Sequence, residues 1–296
     1  MARVATSDGY GLYAEVHGRG TPLLLSCGLC TTLEHWRGQV EPFARAGLRV
    51  ILWDYRGHGR SDAPDDPEAY RLELVLDDLE RVLDWAAPGE PAVLCGLSFG
   101  GLASLHMALA RPERVRALVL AATGPGFKQA EAQASWAATM NKTARLIERR
   151  GPEALLNRPM LETVIGLEPE LPAARAAARA LTAQDPRGLA HFVRQLGGPA
   201  PPVVERLGDI AHPALGDIPA RTRFSTEFYD HMIFEPDAAG TVLIRNMYRD
   251  PVYVAGEVGK GRVIFSGSYY AYHNELEGVE AQVLENSLRW LAGLDE

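Results

Sequence analysis

Between Pro91 and Gly101 the chain reads Pro-Ala-Val-Leu-Cys-Gly-Leu-Ser-Phe-Gly-Gly, and a helix-like stretch follows as far as Pro112. An apolar run of strand length thus enters Gly96-x-Ser98-x-Gly100 and leaves as a helix, which is the context that gives this short motif its specificity. A strand-to-helix turn this tight forces Ser98 into a strained backbone conformation, and the small residues around it let strand and helix approach closely. Ser98 Oγ then projects from the carboxyl end of the strand. The Phe99 N–H, at the helix start, points with the helix dipole toward any negative charge that develops there.

The surrounding sequence fits an α/β fold with a mostly parallel sheet and helices on both faces. Short apolar runs at Leu12 to Val16, Pro22 to Ser26, Arg49 to Trp53, Ala92 to Cys95 and Ala117 to Ala121 predict strands. Amphipathic stretches at Glu34 to Ala46, Arg71 to Ala86 and Ser98 to Ala110 predict the crossover helices. From 125 to 210 the texture becomes alanine- and arginine-rich and helical, with no strand signal, which reads as a helical insertion roofing the site. After Ile210 it changes again: PVYVAGEV-GKG-RVIFSG alternates around a glycine turn and predicts a β-hairpin, and a last helix is expected from Leu276 to Leu291. The expected organisation is therefore a core over 1–124, a helical cap over 125–210 and a C-terminal segment over 211–296 packed on the same sheet.

Of the 296 residues, 47% are apolar and 23% charged, enough to bury a sizeable core. The formal net charge is -8 and the arginines are interspersed with acids, which argues against nucleic-acid or anionic-membrane partners and for a small-molecule substrate. The chain offers no membrane-length apolar run and its first residues lack a signal-peptide pattern, so a cytoplasmic location is expected. Cys27, Cys30 and Cys95 lie in or beside apolar runs and read as reduced, buried thiols; Cys27 and Cys30 form a C-x-x-C without the helix start or second pair that redox or zinc chemistry wants.

A second oxyanion donor is expected from the loop after the strand ending at Ser26, and Leu29 N–H is the candidate. The glycines, arginines and acids of Trp53 to Asp62 (WDYRGHGRSD) suggest an interlocked, hydrogen-bonded turn, with Asp54 and His58 structural. In LLLSCGLCTTLEHW, WDYRGHGRSD, GLSFGG and RPERVRALVLAATGPG the chain, from its start to about Ile210, resembles the α/β-hydrolase superfamily, specifically the capped esterase and lactonase branch that includes 3-oxoadipate enol-lactonase. The resemblance implies a serine nucleophile, an Asp and a His supplied later in the chain, and hydrolysis of an ester or lactone without metal or organic cofactor.

The rest departs from that pattern, lacking both the G-x-x-D acid turn and the Gly-His after the last strand. Residues 211–296 resemble instead the C-terminal part of trehalose-utilisation-like proteins of the class I glutamine amidotransferase-like group, which have flavodoxin-like folds. A hydrolase front joined to a piece of another α/β fold suggests a chimera, natural or engineered. Asp250 follows TVLIRN and His273 follows RVIFSG, so the order Ser98, Asp250, His273 matches a triad. His212 and His231 are back-up bases; His35, His106 and His191 fall on predicted helices and read as structural. Three functions remain open: a serine hydrolase of esterase or lactonase type, a catalytically impaired hybrid scaffold, and a small-molecule binding protein. A mismatched edge strand also leaves a homodimer open.

Overall fold

A computed structural model describes residues 1–127, 129–156 and 172–209, together with the strand backbones 224–225, 233–234, 241–245, 251–258 and 261–266. The predicted strands form as β2 (Gly11–His17), β3 (Thr21–Ser26), β4 (Leu48–Trp53), β5 (Ala92–Leu97) and β6 (Val115–Ala121), preceded by β1 (Ala2–Ala5). β1 escaped the sequence reading because only Val4 of its four residues is buried; pairing with β2, not its own apolar content, makes it a strand. The near-continuous apolar runs of β3 to β6 are buried along almost their whole length, as strands covered on both faces require.

Among the described residues three helices cover the sheet: α1 (Arg37–Arg45), α2 (Leu72–Ala86) and α3 (Phe99–Ala110). In α2 the buried Leu72, Val75, Leu79, Val82 and Leu83 follow helical spacing and make one apolar stripe. α1 starts later than its sequence pattern suggests, because a 3-10 turn over Leu33–Trp36, capped by Thr32, takes the first residues.

The main sheet has the order β1-β2-β4-β3-β5-β6-β11-β10-β9, where β9 is Thr241–Arg245, β10 is Pro251–Val258 and β11 is Gly261–Ser266. β4, β3, β5, β6 and β11 run parallel; β1, β2, β10 and β9 join through antiparallel pairs. The predicted hairpin is present as β10 and β11, and β11 lies beside β6. A separate two-stranded pair joins β7 (Phe224–Ser225) and β8 (Ile233–Phe234). The expected helix from Leu276 to Leu291 lies outside the described residues.

Between 122 and 209 the described residues contain helices and turns and no strand: α4 (Ala130–Arg150), α5 (Pro172–Thr182), α6 (Pro186–Phe192), a π turn over Val193–Gly197, and 3-10 turns at Pro152–Leu156 and Val204–Asp209. Ala144, Ile147, Leu155, Leu181, Leu189, Ala190 and Val193 form a second small core, and Cys30 from the loop after β3 belongs to it. Phe192 closes the seam from the other side, its ring centroid 5.2 Å from both Tyr55 and Phe99 and 4.5 Å from His58. Edge-to-face packing of this kind adds to the burial of the ring itself. No helix among the described residues is long and apolar enough to cross a membrane.

Phe192 is fully buried in this seam, so Phe192→Ala is expected to cost about 3–5 kcal/mol, read as a lower urea midpoint at unchanged m-value. Trp85→Ala, at a partly exposed ring, should change stability by no more than about 0.5 kcal/mol.

Candidate active site

β5 turns into α3 at Ser98, whose backbone sits at φ 52° and ψ −115° as the residue before the first helical turn. The sparse region of backbone space it occupies costs a non-glycine residue on the order of 1–3 kcal/mol, and persists only where the surroundings fix it. Here Ser98 N–H donates to the Ala121 carbonyl of β6 (2.9 Å), while Ser98 O accepts from the Gly101 and Leu102 amides (3.0 and 3.2 Å). The flanking glycines are required by contact. A Cβ on Gly96 would collide with the Gly100 backbone, one on Gly101 with the Thr123 side chain, and one on Gly100 would lie 2.5 Å from Ser26 O. Ser98 itself is exposed at this edge of the sheet.

The loop after β3 runs beside it: a Cβ on Gly28 would be 3.4 Å from Ser98 Cβ. Many groups of this loop are held by hydrogen bonds. Trp53 Nε1 donates to Ser26 Oγ (3.0 Å), Tyr55 OH to Cys27 O (3.1 Å), and Thr31 Oγ1 and N–H to Gly28 O (2.9 and 3.3 Å). Cys30 N–H reaches His58 Nε2 (3.3 Å), and Leu33 N–H donates to Asp54 Oδ1 (2.9 Å). Among the described residues, Leu29 N–H and Phe99 N–H have no acceptor. The two sequence-predicted oxyanion donors are thus among the amides that the loop and the helix start leave without an acceptor.

The Trp53 to Asp62 turn supplies most of these clamps, so it buttresses the loop after β3 as well as itself. Asp54 bridges the Leu33 and Arg60 amides, and burial pushes its carboxyl up to about 6. Arg56 is fully buried and forms paired hydrogen bonds with Asp78 (2.6 and 2.7 Å) and Asp8 (2.7 and 3.2 Å). Burial lowers the His58 pKa to about 4, so the ring is neutral; with the proton on Nδ1, 3.3 Å from Arg56 O, its Nε2 accepts from Cys30. Both nitrogens of His58 are therefore occupied, in keeping with the structural role expected of it.

The remaining described histidines are also engaged in local structure. His35 belongs to the cap at Thr32, His106 contacts Pro201 O, His191 faces Tyr70, and His17 pairs with Glu15. Asp250 and His273, like the back-up bases His212 and His231, lie outside the described residues. The three thiols are free and buried, and burial pushes Cys30 and Cys95 up to about 12 and Cys27 well up, which keeps them protonated. Among the described residues no group of three or more His, Cys, Asp and Glu could hold a metal ion.

One feature gave no sequence signal. Gln184, in the break between α5 and α6, donates to Cys30 O (2.9 Å) and accepts from Gly59 N–H (3.2 Å). It lies 154 positions from Cys30 in a stretch without periodicity.

The family profile described as alpha/beta hydrolase fold matches residues 21–191. A putative carbamate hydrolase, RutD, from Azorhizobium caulinodans is 44% identical over 109 residues, which are 37% of this chain and 40% of that protein. The chain spans less than half the length of the curated relatives it matches. A crystal structure of a hydrolase from Pseudomonas aeruginosa PA01 superposes with a TM-score of 0.54 at 29% identity, covering 71% of this chain and 77% of the other. The enol-lactonase from Burkholderia xenovorans LB400 gives 0.59 at 24% identity over 71% of this chain and 77% of its own, a likeness of fold.

The neutral, buried His58 has a measurable consequence. Its folded-state pKa lies below the ordinary 6.5, so the unfolded chain binds the extra proton first and stability is lost as pH falls from about 6.5 toward 4. The full loss attributable to this group is about 3 kcal/mol. Urea titrations of wild type and His58→Gln across this range should converge as pH falls; parallel curves would contradict the assignment.

Proposed function

We propose, from the premise that this chain belongs to the alpha/beta hydrolase fold family, that it is a serine hydrolase acting on small-molecule esters or lactones through an acyl-enzyme at Ser98. One observation carries the reading. An exposed serine in a strained strand-to-helix turn stands beside two amides that nothing else among the described residues uses. In this reading Ser98 Oγ attacks the acyl carbon as a histidine takes its proton, and the carbonyl oxygen becomes an oxyanion between Leu29 and Phe99 N–H. The histidine returns the proton to the departing alkoxide. Water then attacks the acyl-enzyme by the same route, releasing the acid and restoring Ser98. A carbamate and a lactone, named for two of the similar proteins, both offer such an acyl carbon.

His273 is the proposed base and Asp250 its acid. Register supports this: Leu97 and Ser266 both pair with Ala121, so the chain leaves β11 at the sheet edge where Ser98 stands. Pro251 pairs with Arg245 at the same edge, and Asp250 immediately precedes it. Neighbouring strands are about 4.8 Å apart, so β5 and β11, two strands apart, are separated by only about 10 Å. The helical segment over 125–210 serves as the cap that shapes the substrate pocket; its contact with Leu29 and Cys30 supports that role. A second reading, a hybrid that keeps the elbow without a working base, is favoured by the family match ending at 191.

Hydrolysis of p-nitrophenyl acetate and fluorophosphonate labelling decide between them. Wild type should turn over and be labelled at Ser98. Ser98→Ala should lose both activities, with kcat down by at least about 10³-fold, and His273→Ala should lose turnover to a comparable degree. Turnover unchanged in His273→Ala would reject His273 as base. A folded wild type that neither turns over nor labels would favour the hybrid.

A further inference from the structure

We infer that Gln184 is a positioning residue for the oxyanion hole: it aims the Leu29 N–H by holding the peptide between Cys30 and Thr31. The inference rests on the serine-hydrolase reading and assigns it a residue from outside the elbow and its loop.

Two peptide groups link the Gln184 side chain to the Leu29 N–H. Gln184, 4% exposed, donates from Nε2 to Cys30 O (2.9 Å). That carbonyl shares a planar peptide with the Thr31 N–H, and in a trans peptide the two point in opposite directions. Thr31 N–H donates to Gly28 O (3.3 Å), and Thr31 Oγ1 donates to the same oxygen (2.9 Å). Gly28 O in turn shares its peptide with Leu29 N–H, so that amide points away from Thr31. A pull at one end of the chain of peptides therefore sets the direction of the donor at the other.

Such a clamp is needed because the loop is strained. Cys30 holds φ 65°, a left-handed conformation that a cysteine does not adopt by preference. Its N–H is fixed by His58 Nε2 and its C=O by Gln184, so both sides of the strained residue are held. Gln184 Oε1 also accepts from Gly59 N–H (3.2 Å), tying the same side chain to the Trp53 to Asp62 turn that supplies His58 and Asp54. The segment bearing Gln184 is itself seated on that turn. Asp185 caps α6 through the Arg187 and Gly188 amides (3.0 and 2.8 Å), and a Cβ on Gly57 would meet Gly188 O at 2.8 Å. The helical segment thereby reaches the oxyanion loop through one amide side chain.

The chemistry of the amide predicts a signature that packing alone would not give. Gln184→Met keeps the length and removes all three side-chain hydrogen bonds, to Cys30 O, to Leu181 O and from Gly59 N–H. Gln184→Glu can donate to Cys30 O only while protonated; once ionised, it repels that carbonyl. Kinetics with p-nitrophenyl acetate, and the second-order rate of Ser98 labelling by a fluorophosphonate, should be measured for wild type and both variants from pH 5 to 9. Urea midpoints would show that each is folded. Expected for Gln184→Met is a fall of about 10- to 100-fold in kcat and labelling rate with KM changed less than about threefold, since a displaced donor costs less than a deleted one. For Gln184→Glu, both rates should fall with rising pH along a limb that wild type lacks.

A folded Gln184→Met within about threefold of wild type would overturn the inference, as would a Gln184→Glu profile parallel to wild type. If Gln184→Met does not fold, the Gln184→Glu profile decides alone. A folded wild type that is neither labelled nor active would reject the underlying hydrolase reading, an outcome seen before any variant is compared.

Discussion

The close crossing of main chains where β5 becomes α3 fixes the rest of the site. Gly100 lies against the carbonyls of Ser26 and Cys27, leaving no room for a side chain, and Gly96 meets the Gly100 backbone in the same way. Three consequences follow from this contact. Ser98 is driven to φ 52°, its side chain is lifted to the open sheet edge, and the loop after β3 is drawn alongside it. Strain stored at Ser98 is sustained by the packed strands on either side, above all by the bond from Ser98 N–H to Ala121 O.

The loop beside the elbow has no regular structure of its own, and its shape comes from side chains reaching in from two directions. From the core, Trp53, Asp54, Tyr55 and His58 each bond a different residue of Ser26 to Leu33. From the helical segment, Gln184 bonds Cys30. A buried polar network of this sort is costly unless nearly every member is satisfied, and here the partners are matched: a neutral His58 accepts, and an amide both donates and accepts. Leu29 N–H and Phe99 N–H remain outside the network, available in the proposed reaction to a charge that appears only as it proceeds. Such preorganisation is the usual physical source of oxyanion stabilisation.

The elbow, the five central strands and their helices were legible in the sequence because each depends on neighbours in the chain: apolar runs, a glycine-serine-glycine turn, helical spacing. The hairpin was legible for the same reason, through the alternation around Gly259-Lys-Gly261. β1 was not, since its strand character comes from pairing with β2, and Gln184 was not, since a lone glutamine in a helix break carries no pattern. The roles of Asp54 and His58 were readable only as structural in general; that both serve the loop after β3 depends on distances across the fold. Asp250 and His273 had a signal of order alone, Ser then Asp then His. Their proposed link to the site rests on strand register.

The most direct measurement is a crystal structure of the protein phosphonylated by a fluorophosphonate. The expected adduct is on Ser98 Oγ, with one phosphonyl oxygen within about 2.7–3.1 Å of both Leu29 N and Phe99 N. An adduct on another residue, or a Ser98 adduct whose oxygen turns away from both amides, would contradict the assignment of this edge as an acyl-transfer site.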